Sequence, residues 1–279
     1  MAGKGSVEVL YNALRALMGQ IRNGEAKLPV LDPSVAGLGR LCVDPDAGLE
    51  DVLRAVSRDP AVAAGVLKAA ATGALNRSKP PSTLREACIR LGNRHVLSIA
   101  FGVVVQSALS CRSQPYASVL TRMWRHQFFA AEVVFELSRM LRMSSDGLQV
   151  VAVLHNVGEP LILHHLSSLD LDTTVPGFME DLHMVVDKFH EVFGGHLSRQ
   201  WELPKVVQKY ARKHHVPVPA QPAEEEMRVI AVLQAARHLA FEAGATYFDG
   251  QVGSSDTALT ALELSDKQVA ALRRMRPPR

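Results

Sequence analysis

Cysteine is scarce in this chain: Cys42, Cys88 and Cys111 are the only three in 279 residues, they lie far apart, and no CxxC pair occurs. That excludes both a disulfide framework and a zinc-thiolate site, and the three are expected as core thiols. Long apolar runs are missing too. The stretches Ile99 to Val105 and Val150 to Leu154 are broken within a few residues by polar side chains, far short of the roughly 20 residues a bilayer requires. The opening Met-Ala-Gly-Lys-Gly-Ser has no signal-peptide apolar core, so a cytoplasmic protein without a membrane partner is expected. An excess of one charge is also absent, since 31 basic and 28 acidic residues leave a net +3. Only Arg273, Arg274, Arg276 and Arg279 concentrate positive charge, and a solvated chain end is expected there rather than a nucleic-acid contact. No GxxxxGK[ST] loop, GxGxxG turn, HExxH pair or GxSxG elbow is present, which removes the common nucleotide, metalloprotease and serine-hydrolase signatures.

What the sequence does have is 47% hydrophobic content, enough for a large core, and apolar spacing of the helical kind almost throughout. Val7, Leu10, Tyr11, Leu14, Leu17, Met18 and Ile21 form one face of a helix over residues 6 to 22. That stripe must be buried, either on its own domain or against a partner. From 32 to 110 short helices alternate with Pro, Gly, Asp and Asn. Asp59 caps a helix begun by Pro60 and reaching about Leu75, while Ser82 or Thr83 caps Leu84 to Leu91, closed by Gly92. The periodicity stops around Ser110 to Tyr116. A helix of about 24 residues follows, with Leu120, Trp124, Phe128, Ala131, Val134, Phe135, Ser138 and Leu141 on one face and His126 on the other flank. A helix over 146 to 163 is expected to bend or restart at Gly158 and Pro160. Helices near 177 to 200, 203 to 213 and 224 to 243 come next, and Ser265 with Gln268 has capping-box spacing for a last short one. The reading is an all-α protein with a leading helix over 1–26, an N-terminal helical lobe over 27–110 and a C-terminal lobe over 111–279.

Several residue groups occur in a particular order. The first lobe holds Leu28-Pro29, then Arg58-Asp59-Pro60, then Leu84-Arg-Glu-Ala87, Ile89 and Leu91-Gly92. The second holds Trp124-Arg-His126, Val153-Leu-His155-Asn156-Val-Gly158, then His190, Gly194, Leu197, Trp201, Leu203-Pro204 and His214-His215. This ordered set resembles the HDOD family, relatives of the HD phosphohydrolases, over roughly residues 27 to 270. The resemblance implies an HD-like second lobe in which histidines and aspartates hold one or two divalent metals. His126, His155, His190, His214 and His215 stand at positions similar to such ligands. Two positions depart from the pattern: His155 is followed by Asn156 instead of an aspartate, and the late helical aspartate aligns with Ala236. The resemblance therefore implies a bacterial signalling module, not an enzyme, working through protein–protein contacts. It would act with a separate signalling protein, with a homodimer as a further option.

The chemistry of the residues agrees with that reading. A metal hydrolase needs ligands that neutralise a divalent cation and lower the pKa of its bound water. Asn156 offers a carbonyl oxygen without charge, and Ala236 offers nothing. No cofactor is expected, although five imidazoles could still hold a divalent ion such as zinc or nickel. The alternative for these positions is a remnant polar cluster of histidines, hydrogen-bonded to one another and to water; a histidine-rich phosphohydrolase, acting on a phosphoester or cyclic dinucleotide, is the alternative function. Glu159, four residues after His155, could lie on the same helical face, while Asp187 and Glu191 read as solvated helix charges. His164, His165, His183, His196 and His238 read as ordinary hydrogen-bonded histidines. Trp124 and Trp201 sit among helix-period apolar residues and read as core, not as base-stacking platforms.

Overall fold

The computed structural model describes residues 6–31, 37–38, 40–41, 44, 46–72, 80–143, 147–249 and 257–277. Among them every regular element is a helix: α1 (Ser6–Asn23), α2 (Leu49–Val56), α3 (Pro60–Thr72), α4 (Leu84–Leu91), α5 (Asn93–Ala108), α6 (Tyr116–Met140), α7 (Leu148–Leu154), α8 (Gly158–Leu166), α9 (Phe178–Gln200), α10 (Lys205–Tyr210), α11 (Glu225–Glu242), α12 (Thr257–Ala261) and α13 (Asp266–Leu272). The local signals account for many of the ends. Asp59 Oδ1 accepts from the Ala61 and Val62 amides at 2.7 and 3.3 Å, and Thr83 Oγ1 accepts from the Glu86 amide at 3.1 Å. Both satisfy donors that a first helical turn leaves unpaired. Gly92, at φ +80°, joins α4 to α5 in a conformation that disfavours any side chain. Ser265 and Gln268 form the expected capping box. The end expected for α3 near Leu75 falls outside the described residues, as does Cys42; Cys88 is buried and Cys111 is partly exposed, so only the former is a core thiol.

The stripe of α1 is covered by its own chain. Leu10, Leu14 and Leu17 are buried, and α1 packs on α9. The Tyr11 ring meets Phe189 edge-on at 5.3 Å, with Lys188 Nζ 5.1 Å from the Tyr11 centroid. Ser6 hydrogen-bonds Asp181. The segment that follows is pinned to the far end of the same helix, where Trp201 Nε1 donates to the Pro29 carbonyl at 2.7 Å. Residues 6 to 29 thus rest on the C-terminal half of the sequence.

The centre of the second half is α6, 25 residues long. It was expected to bury one face, but Met123, His126, Gln127, Ala130, Val133 and Leu137 on its other side are buried as well. It packs against α11, α7, α8 and α5, so its His126 flank faces protein and not solvent. The expected helix over 146 to 163 is two helices: α7 ends at Leu154, and α8 restarts at Gly158. The element after Leu203 is shorter than expected and ends at Tyr210, leaving a run of turns through residue 215. At the chain end Arg273 is not merely solvated, because its guanidinium pairs with Glu242 at 3.0 and 3.3 Å. Among the described residues no single helix is long and apolar enough to cross a membrane.

Candidate functional site

The restart between α7 and α8 brings the histidines together. A Cβ at Gly158 would stand 1.9 Å from the His190 carbonyl oxygen and 2.6 Å from the Gly194 amide nitrogen. Only glycine lets the start of α8 lie directly on the α9 backbone. A Cβ at Gly194 would be 3.1 Å from the Ala211 carbonyl oxygen and 3.2 Å from the Gly158 amide nitrogen, so this glycine admits the turn after α10 as well as α8. The turn that carries His214 and His215 is therefore held close to His190.

His155, His190, His214 and His215 converge. His190 Nε2 and His214 Nε2 are 3.1 Å apart. The ring centroids of His155 and His214 are 4.8 Å apart at an interplanar angle of 82°, and those of His190 and His215 are 5.0 Å apart. Ligand atoms of His190, His214 and His215 all lie within 4.8 Å of one another, and that group contains no carboxylate. The Nδ1 atoms point away, to backbone carbonyls: His155 to Val151 and Ala152 at 3.1 and 3.0 Å, His190 to Asp187 at 2.7 Å and His214 to Tyr210 at 2.9 Å. A carbonyl can only accept, so Nδ1 of His190 and of His214 carries the proton and Nε2 keeps its lone pair, while at His155 the Gln127 amide nitrogen also lies 3.2 Å from Nδ1. The Gln127 amide donates to the same Ala152 carbonyl at 2.8 Å. Burial, assisted by neighbouring Arg237 and His190, pushes His155 down to about 4 against the backbone hydrogen bonds that favour its charge. Burial likewise holds His214 well below the ordinary imidazole range, and with Arg237 it pushes His215 to about 2. His155, His214 and His215 are thereby held toward the neutral form, the form in which imidazole binds metal.

His126 is not part of that convergence. It is buried, its Nδ1 donates to the Ala245 carbonyl at 2.7 Å, and its ring lies 4.5 Å from Phe241 and 5.2 Å from Tyr247. Asn156 is buried against Trp124, Gln127 and Pro160 beside a small void, with no hydrogen-bond partner for Oδ1. Of three carboxylates near the site, two behave differently from expectation. Glu159 is in α8, beyond the break from His155, and accepts from the Tyr247 hydroxyl at 3.1 Å. Glu191 accepts from the His215 amide at 3.0 Å and lies 3.6 Å from His214 Nδ1. Asp187 faces Arg237 at 3.7 Å. Glu191 is thus not simply a solvated helix charge, whereas Asp187, with 58% of its side chain exposed, stays largely in solvent as expected. Of the remaining histidines, His164 Nδ1 donates to the Ser110 carbonyl, His183 stacks on Phe248, His196 accepts from Arg199 and His238 faces Glu242. Trp124 is buried and Trp201 partly so, as core residues.

Sequence reasoning missed Gln127, Arg237 and Tyr247. A signal for Arg237 was present, since it interrupts the apolar spacing of Leu233, Ala240 and Phe241 on one helical face. Taken together, the donor set fits one borderline divalent ion on neutral imidazoles, with their tautomers fixed by the backbone. It does not fit a pair of ions, which needs a bridging carboxylate.

A helical chain with such a cluster, drawn from the end of α7, from α9 and from the turn after α10, is an HD-like protein. More particularly, the chain belongs to the HDOD domain family, which matches residues 28–217. It is similar in structure to a candidate metal-dependent phosphohydrolase from Shewanella amazonensis, at 16% identity and a TM-score of 0.61, covering 94% of this chain and 99% of that one. A candidate signal transduction protein from Marinobacter aquaeolei is similar at 20% identity and a TM-score of 0.62, covering 98% of this chain and 65% of the other. An uncharacterized protein of Treponema pallidum is 23% identical over 229 residues, which is 80% of this chain and 44% of that protein, so the chain spans less than half of that relative's length. Likeness to the solved structures at such identity establishes the fold.

Proposed function

We propose that this HDOD chain is a non-catalytic regulatory module that acts in bacterial signalling through contacts with a separate protein. The observation that carries the reading is the composition of the converging site: His190, His214 and His215 bring imidazole nitrogens together with no carboxylate among those ligand atoms, Glu191 reaching only the His215 amide and the Nδ1 side of His214, with Asn156 and Ala236 where the family's hydrolases are expected to place acids. The resemblance implies that the family's hydrolases hold one or two ions with aspartates as well as histidines and activate water beside a phosphoester. Imidazoles alone can bind one ion but leave its charge uncompensated. The similarity to a candidate signal transduction protein is consistent with this reading. A histidine-ligated phosphohydrolase is the second reading, favoured by the close approach of His190 and His214.

The test is turnover. The purified chain, supplied with manganese, iron or zinc, is expected to leave bis(p-nitrophenyl) phosphate and a cyclic dinucleotide intact. Metal-dependent hydrolysis that disappears in His155→Ala would overturn the regulatory reading in favour of the enzyme.

A further inference from the structure

Directly after Ala236 comes an arginine whose side chain turns inward. Only 14% of the Arg237 side chain is exposed. Its Nη1 donates to His215 Nε2 at 3.3 Å, its Nη2 lies 3.7 Å from Asp187 Oδ1, and its guanidinium carbon sits 5.4 Å from the Phe241 centroid. The Tyr247 oxygen accepts from the guanidinium, and the Tyr247 hydroxyl donates to Glu159 Oε1 at 3.1 Å. Glu159 Oε2 and Arg237 Nε are both buried without a hydrogen-bond partner. This is a desolvated cation, joined through one phenol to a buried carboxylate and facing a second carboxylate, on the edge of the histidine cluster. Burial works against its charge, but Tyr247, Glu159 and Asp187 more than offset that and raise its pKa above the ordinary value.

We propose that Arg237 is the resident cation of this site, standing in for a second metal ion, so that the chain accepts at most one divalent ion, held by imidazoles. Three consequences of its position support this. Glu159 and Asp187, carboxylates that could help to compensate a second ion, already face a positive charge. His215 gives its Nε2 lone pair to the guanidinium and cannot offer the same nitrogen to a metal. A second divalent ion in so desolvated a place would meet repulsion that water does little to screen. The inference rests on the reading of the site as one without bridging acids, but it concerns how many ions the site admits and not whether it hydrolyses anything.

The experiment counts ions. The full chain is titrated separately with zinc and manganese, and bound metal is measured by native mass spectrometry and by elemental analysis after desalting. The parent is expected to retain no more than one ion per chain. Arg237→Met, of similar length and no charge, is expected to take up a second ion or to bind manganese at least tenfold more tightly, and adding Glu159→Gln should cancel that gain. Arg237→Lys keeps a cation and should behave like the parent. Two ions on the parent overturn the proposal whether or not any variant folds. So does an Arg237→Met protein that binds as the parent does, or a gain that survives Glu159→Gln. Hydrolysis of a phosphodiester by a one-ion parent would overturn the regulatory reading while leaving the role of Arg237 intact; two ions without turnover would do the reverse.

Discussion

The Nε2 atoms of His190 and His214 face each other at 3.1 Å although both rings have already committed their Nδ1 protons to backbone carbonyls. Two bare lone pairs at that separation repel. A proton shared between the rings would relieve the repulsion, but burial and the surrounding histidines disfavour charge on His214. A single metal ion would relieve it as well, since nitrogens about 2.0 to 2.1 Å from a common ion approach each other to roughly 3 Å. Excess zinc or nickel is therefore expected to stabilise the chain, by about 2.7 kcal/mol at a hundredfold excess over Kd. His190→Ala should lose most of that gain. A thermal-shift titration in which zinc acts equally on parent and variant would show that the pair holds no metal.

The α8–α9 contact makes a second expectation. With 1.9 Å between a Cβ at position 158 and the His190 carbonyl oxygen, Gly158→Ala cannot be absorbed by a side-chain rotation and must push two backbones apart. The cost is expected at about 3 kcal/mol or more, the upper range for overpacking. Denaturant unfolding measures it. Because the displaced group is the backbone of His190, metal binding should fall along with stability. A variant as stable as the parent would mean that α8 can shift freely.

How much of this was legible in the sequence differs from one residue to the next. Asp59, Thr83, Gly92 and the Ser265–Gln268 pair act within a few residues of themselves, so their caps could be read directly from spacing. The break at Gly158 was legible for the same reason, because glycine and proline act on the local backbone. The burial of His126 was not, since the apolar stripe of α6 marks one face and only the tertiary arrangement covers the other with α11. The family order of the histidines pointed to His155, His190, His214 and His215, whereas periodicity alone could not say which residues from α9 and the turn after α10 would meet. Arg237 escaped notice because a charged residue in a helix is usually solvated; its meaning depends on Asp187, Glu159 and Tyr247, which lie 50 and 78 residues before it and 10 after it in the sequence.

Acid should weaken the fold through a group outside the metal site. His95 is buried in α5 with its ring 5.0 Å from Phe135 and no partner for Nδ1. Burial pushes its pKa from 6.5 down to about 4. The unfolded chain binds this proton more readily, so the stability contributed by neutral His95 is complete above pH 6.5 and is lost as pH falls toward 4. At about 1.4 kcal/mol per pH unit, the loss attributable to His95 between pH 7 and pH 5 is roughly 2 kcal/mol. His95→Leu keeps an apolar side chain in place and should flatten the pH dependence by that amount. Equal slopes for the two proteins in urea unfolding at pH 7 and pH 5 would sink the argument.

Restoring the lost acids tests the site from the opposite direction. In Asn156→Asp, Ala236→Asp both new carboxylates enter buried positions, where an unpaired charge is costly. Without metal the double variant should therefore melt below the parent. With manganese or zinc the order should narrow or reverse, because an anionic ligand compensates the ion and the ion compensates the carboxylate. The expected gain in metal affinity is roughly tenfold or more, corresponding to about 1.4 kcal/mol per factor of ten, and it is read by isothermal titration. Arg237 complicates the site in a predictable way. Its buried guanidinium repels a cation held nearby, so adding Arg237→Met to the double variant should raise metal affinity further. Phosphodiester turnover need not return in any of these proteins, because groups that bind substrate are not replaced with the acids. If parent, double and triple variants all fail to bind divalent metal, the histidines are a hydrogen-bonded polar cluster and nothing more, and the assignment of His155, His190, His214 and His215 as potential ligands fails with it.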